Sequence, residues 1–187
     1  MEKLISYLLA VAILLGFSNC DNTTLNNTGK NVVAEANQRL NSINEQWKQQ
    51  TLELAQVLEN PDLTATQKDG YTIMAYYDAD CSTCISDLKS WQKNLIPYFL
   101  EVDRAVDFKF VLITEDPKLL DYKLEQVGLP KEYIVVDKHK AFIKTFDFAD
   151  EKPFNTFLIG PDQEVVFIGS PLISDNLKHF YASSIAG

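Results

Sequence analysis

The chain has 187 residues, 46% of them hydrophobic and 23% charged, with a formal net charge of −9. Its Lys and Arg residues are scattered rather than clustered. That balance excludes nucleic acid as a partner and electrostatic attachment to anionic lipid. The length suits one domain with a full-sized core.

Met1-Glu2-Lys3 precedes an apolar run from Leu4 to Phe17, broken only by Ser6, Tyr7 and Gly16. A short charged start, an apolar centre and a small-residue exit form the pattern of a secretory signal. The run is shorter than the roughly 20 residues that span a bilayer. It ends in Gly16-Phe17-Ser18-Asn19-Cys20, which resembles a loose lipobox, with Phe17 and Asn19 where the strict form prefers Leu and Gly or Ala. The resemblance implies cleavage before Cys20 and acylation of it, so that the acyl chains supply the membrane contact. The alternative is an ordinary signal with an incidental cysteine. On the first reading residues 1–19 are a signal peptide, 20–30 a lipidated tether and 31–187 one domain, held in a bacterial cell envelope facing the periplasm. Asp21–Lys30 is polar and reads as a flexible tether; its N-x-Thr sequons at Asn22 and Asn26 are of the kind that polar linkers generate by chance.

From Val33 the pattern turns helical. Val33, Ala36, Leu40, Ile43, Trp47, Leu54 and Val57 recur at steps of three and four with a gap at Gln50, which predicts a helix ending at Asn60-Pro61-Asp62. The stripe is either a face packed on the domain or a coiled-coil seam, and its short length favours packing. After a polar stretch to Gly70, the apolar run Tyr71–Tyr77 reads as a buried strand. Cys81–Ile96 follows with Ile85, Leu88, Trp91 and Leu95 at helical spacing, and Pro97 is expected to kink or end that helix. Phe108–Thr114 reads as a second buried strand, Pro117–Val127 as a helix stopped at Gly128, and Tyr133–Asp137 as a third strand. Ala141–Phe146 reads as a short helix. Thr156–Gly160 and Glu164–Gly169 are strands joined by a Gly160-Pro161-Asp162-Gln163 turn. Ser174 caps a last helix reaching about Ile185. Alternation followed by an antiparallel pair predicts an α/β domain, a mixed sheet between helices.

With Cys20 assigned to lipid, Cys81 and Cys84 remain of the three cysteines, spaced C-x-x-C in an exported chain. They follow a buried strand and open a helix. The helix N-terminus carries partial positive charge and free N–H groups, which favour a thiolate. The outer sulfur, Cys81, can attack a substrate disulfide, and Cys84 can resolve the mixed disulfide.

Strand, Cys81-Ser82-Thr83-Cys84 and helix, followed later by the block Asn155–Gly169, resemble the thioredoxin-like superfamily and within it the TlpA/ResA-type lipoproteins. The resemblance covers about Tyr71–Tyr181. It implies a thioredoxin-like fold and a membrane-anchored thiol–disulfide oxidoreductase whose cofactor is its own redox-active disulfide. Its partners would be exported proteins bearing thiols or disulfides, or a membrane electron donor. It further implies that Asp80, Ser82, Thr83 and Asn155 line the substrate groove. The alternative is a catalytically weakened binding or scaffold lipoprotein on the same frame.

The chain departs from the family in three places. Asp80 stands where aromatic residues are usual, and its charge is expected to raise the Cys81 pKa. Ser82-Thr83 supplies neither proline nor histidine between the cysteines. Asn155 takes the position of the family's cis-proline, where a cis bond before a non-proline costs about 2.5–4 kcal/mol, so the Phe154–Asn155 bond is expected to be trans and Asn155 to face Cys81. A shifted register would give that position to Pro153. His139 and His179 are read as surface residues, with no metal site.

Overall fold

The computed structural model describes residues 27–52, 57–58 and 70–187. The expected signal segment, Cys20 and most of the expected tether lie outside the described residues. Among those residues no helix is long and apolar enough to cross a membrane.

Five strands form one sheet: β1 (Tyr71–Asp78), β2 (Val106–Ile113), β3 (Ile134–Val136), β4 (Thr156–Ile159) and β5 (Val165–Ile168), in the order β3-β2-β1-β4-β5. β2 runs parallel to both β1 and β3. β4 pairs antiparallel with β1, and β5 antiparallel with β4. β1 is central because its side chains from Thr72 to Tyr77 are apolar or small and all buried. Period-two alternation splits them between two cores. Ile73, Ala75 and Tyr77 pack with α2 (Ser82–Ser90), α3 (Ile96–Leu100), α4 (Pro117–Val127) and α6 (Asp175–Ala186). Met74 and Tyr76 pack on the other face with Ile43 of α1 (Asn27–Trp47), Phe142 of α5 (Ala141–Thr145) and the aromatic turns after it. The mixed sheet between helices, with an N-terminal helix, is thioredoxin-like.

Three sequence-based boundaries need correction. α1 starts at Asn27, inside the expected tether, and ends at Trp47 rather than near Asn60. Gln49 takes a positive φ of 64°, which halts the helix and turns the chain along the outer edge of β5. There Gln49 and Leu52 donate N–H groups to Val165 and Gln163 carbonyls, and Val165 donates to Gln50. The Asn44 carboxamide accepts from the Ile168 N–H and donates to its carbonyl, at 2.7 and 2.8 Å. Backbone groups that would otherwise invite a foreign strand are thereby paired, and the α1 stripe packs on the domain. Pro97, expected to kink or end its helix, does not end it. α2 runs into a π turn, Trp91–Leu95, and continues as α3. The Ile96 N–H reaches back five residues to Trp91, a local widening that accommodates a proline in the following turn.

Candidate active site

β1 delivers the chain to a tight turn. The Asp78 carbonyl accepts the Cys81 N–H at 3.2 Å, and its carboxylate accepts the Asp80 N–H at 2.8 Å. Cys81 follows in extended conformation as the N-cap of α2, its Sγ accepting the Cys84 N–H at 3.4 Å. The Thr83 hydroxyl lies 3.0 Å from the same sulfur. Both cysteines are free thiols.

The two sulfurs differ in electrostatics. Hydrogen bonds from the Cys84 side chain first, then from the Thr83 hydroxyl and the Cys84 N–H, hold the Cys81 thiol below its usual pKa. Burial pushes the Cys84 thiol up to about 12, helped by its hydrogen bond to Cys81 and by the charge there. The pair is therefore one thiolate-prone nucleophile backed by one protonated thiol. Behind it, Tyr77 accepts the buried Trp91 Nε1–H at 2.8 Å, and burial raises its phenol above the ordinary range.

Asp80 behaves differently from the sequence expectation. Its carboxylate turns to the loop after β2, accepting the Glu115 N–H at 2.7 Å and the Thr114 hydroxyl, and ion-pairs with Lys123 of α4. Those bonds, Lys123 first, lower its own pKa. The Cys81 thiol nonetheless lies below its usual pKa, set first by its hydrogen bonds to Cys84 and Thr83. A neutralising lysine from another helix thus partners the carboxylate.

Asn155 is 4% exposed. Its peptide bonds are trans, as are all others among the described residues, Pro153 included. Its carbonyl accepts the Tyr76 N–H at 2.8 Å, while its side-chain amide donates to the Tyr76 carbonyl at 3.0 Å. Its Oδ1 accepts from Thr156 Oγ1 at 3.0 Å. The carboxamide thus extends the β1–β4 ladder by one pair and also hydrogen-bonds the Tyr77 phenol. Ser82 and Thr83 are exposed on the first turn of α2.

Sequence reasoning missed Lys152 and Asp87. The Lys152 ammonium lies 2.7 Å from the Asp87 carboxylate. Asp87 follows Cys84 by three residues, a helical neighbour that simple spacing finds. Lys152 stands far along the chain on a turn with no sequence signature. His139 and His179 are both exposed, and His179 shares a hydrogen bond with the Tyr98 hydroxyl. Among the described residues no cluster of three His, Cys, Asp or Glu side chains has metal-holding geometry.

No family model and no curated protein matches the chain. Solved structures do. The thioredoxin domain of a thiol-disulfide oxidoreductase from Bacteroides vulgatus is 17% identical over 63% of this chain and 81% of its own, with a TM-score of 0.45. StoA from Bacillus subtilis is 16% identical over 62% and 85%, with a TM-score of 0.42. The reduced N-terminal domain of PilB from N. meningitidis is 19% identical over 70% and 89%, with a TM-score of 0.43. These likenesses are distant, and the thioredoxin-like fold rests on the chain's own topology.

Proposed function

We propose that this protein is a thiol–disulfide oxidoreductase in which Cys81 is the nucleophile and Cys84 the resolving thiol. The observation that carries the reading is the asymmetry of the pair. Cys81 Sγ caps α2 and is held below its usual pKa, while the Cys84 thiol beside it is pushed up to about 12. A low-pKa sulfur at a helix N-terminus is suited to open a substrate disulfide, and an adjacent thiol to close the cycle. A disulfide closing so short a loop adds little stability, which argues against a merely structural bridge. The trans, inward-turned Asn155 favours substrates docked by other surfaces than the backbone edge used by cis-proline relatives. We further propose that Cys20 is acylated and tethers the domain to a bacterial envelope membrane facing the periplasm, where exported proteins bearing thiols or disulfides, or a membrane electron donor, are its partners.

The decisive experiment is capture. Cys84→Ser should accumulate mixed disulfides through Cys81, and Cys81→Ser should accumulate none. If neither variant traps a partner and the wild-type bond resists strong reductants, the domain is a scaffold. A reduction potential near about −270 mV would assign it as a reductase, and one near about −120 mV as an oxidant. Mass spectrometry of membrane-extracted protein should find diacylglycerol on Cys20; a mature form beginning elsewhere would remove the anchor.

A further inference from the structure

Resolution sets a difficulty for the site. Cys84 must become a thiolate to attack Cys81, yet it is half-buried, and Asp78 opposes its ionisation through charge. Tyr76 and Tyr77 also lie near enough to feel a Cys84 charge. Asp80, the nearest carboxylate in sequence to Cys81, is already neutralised by Lys123. A cation able to compensate must come from another element.

The loop Glu151–Asn155 supplies one. It is fixed at several points. Glu151 ion-pairs with Arg39 of α1 at 2.7 Å, and the Arg39 guanidinium lies 5.5 Å from the centre of the Phe154 ring. The Pro153 carbonyl accepts the Ser170 N–H at 3.0 Å, and Asn155 is tied to Tyr76. Between these anchors Lys152 reaches to Asp87, one helical turn beyond Cys84, at 2.7 Å. Residues at that spacing share a helix face, so the ammonium is brought to the side of α2 that carries Cys84. Its own pKa is raised by Asp87 first, and charges on Cys84 and Cys81 contribute in the same direction.

We propose that Lys152 is a positioning residue for exchange, held by Asp87 so that its ammonium stabilises the thiolate formed at either sulfur. The proposal rests on the oxidoreductase reading. In the first step the Cys81 thiolate attacks a substrate disulfide, forming a Cys81–substrate bond and expelling a substrate thiolate. In the second, Cys84 gives up its proton to that thiolate and attacks Cys81, forming the Cys81–Cys84 bond and expelling the second substrate sulfur, which takes up the proton lost earlier by Cys81. Two electrons pass from the dithiol to the substrate. Negative charge resides on Cys81 before the first step and on Cys84 before the second, and one fixed cation serves both.

The test is the pH profile of Cys81 alkylation in the full chain, a readout that needs no exchange partner. Lys152→Met should raise the midpoint by roughly 0.5–1 unit, a discounted value for a half-exposed ion pair. Lys152→Arg should restore it, and Asp87→Asn should move it down. Closure of a Cys81 mixed disulfide with glutathione should slow about three- to tenfold in Lys152→Met, in line with that midpoint shift. A half-exposed bridge acting only on stability would leave the midpoint in place. An unchanged midpoint in a wild-type protein competent for exchange would overturn the role of Lys152 and keep the function. A shifted midpoint in a protein incapable of exchange would keep the electrostatic assignment and remove the function.

Discussion

The turn Asp78–Cys84 carries the two sulfurs, the loop Glu151–Asn155 sends Lys152 to Asp87 on the same helix, and the two hold their places by different means. In the turn, most backbone partners are near neighbours (Asp80 N–H to Asp78, Cys81 N–H to Asp78, Cys84 N–H to Cys81), while the Ala79 N–H and the Asp80 carboxylate reach β2 and the loop after it. In the loop, partners come from distant elements: Arg39 for Glu151, Asp87 for Lys152, Ser170 for Pro153, Tyr76 for Asn155. The turn sets the intrinsic reactivity of Cys81 through local geometry. The loop adds charge and closure that exist only when the whole domain is folded. Local disruption should therefore change chemistry with little loss of stability, and changes in the loop should do the reverse except at Lys152.

The largest expected effect lies within the turn. With Cys81 held below the ordinary thiol value of about 8.5 and Cys84 pushed up to about 12, the thiolate populations at about pH 8 differ by roughly a thousandfold or more. The greater nucleophilicity of the higher-pKa thiolate returns about twentyfold. Alkylation of the reduced wild-type chain by iodoacetamide, followed by peptide mapping, should favour Cys81 by roughly fiftyfold. Comparable rates at the two cysteines would erase the asymmetry on which the functional reading stands. The same shift predicts a stability trend. Cys84 is raised in the fold, so its contribution is complete below the ordinary thiol value and is lost as pH rises from about 9 towards about 12.

On the loop side, Asn155→Ala removes the donor to the buried Tyr76 carbonyl and the acceptor for the Thr156 hydroxyl. Leaving such groups unpaired costs about 1–3 kcal/mol, which urea unfolding should register as a lower midpoint at unchanged slope. The Cys81 alkylation profile should stay where it is. Undiminished stability would mean that water replaces the carboxamide, and that the loop stands more open than its bonds imply.

The same division explains what was legible before the structure. β1 was readable because seven successive apolar or small residues admit few alternatives to a buried strand, and α4 because Gly128 at a φ of 79° stops it. Ser174 announced α6 through its side-chain bond to the Asn176 N–H. The Cys81–Cys84 unit was legible for the same reason, as spacing alone puts the first sulfur at the helix N-terminus. What escaped depended on tertiary contacts. The end of α1 is decided by pairing of residues 49–52 with β5, although Leu54 and Val57 keep the helical period going. The hairpin pattern singles out Asn155, but its buried carboxamide depends on a Tyr76 carbonyl 79 residues away. Lys152 and Asp87 had no local reason to meet.

Asp80 tests the boundary between the two regions, and its expected effect on the thiol is the smallest. Adjacent in sequence to Cys81, it invited the inference that its charge opposes the thiolate. In the fold the carboxylate is bound by Lys123, Thr114 and the Glu115 N–H, so sulfur and carboxylate point into different surroundings. Asp80→Ala should therefore leave the Cys81 alkylation midpoint within about 0.3 unit, any residual movement being downward because Lys123 is left unpaired. Its stability cost should stay below about 1 kcal/mol, since the pair is solvent-screened and water can serve the freed donors. The sign of its pH dependence is fixed by its lowered pKa. The Asp80 contribution is present above the ordinary carboxylate value, about 3.9, and disappears as pH falls through the lower folded value. Acid unfolding of wild type and Asp80→Ala should thus converge at low pH and separate above it. A midpoint drop approaching a full unit would return Asp80 to the sulfur's immediate electrostatics, and the turn would then owe its reactivity to α4 as much as to its own bonds.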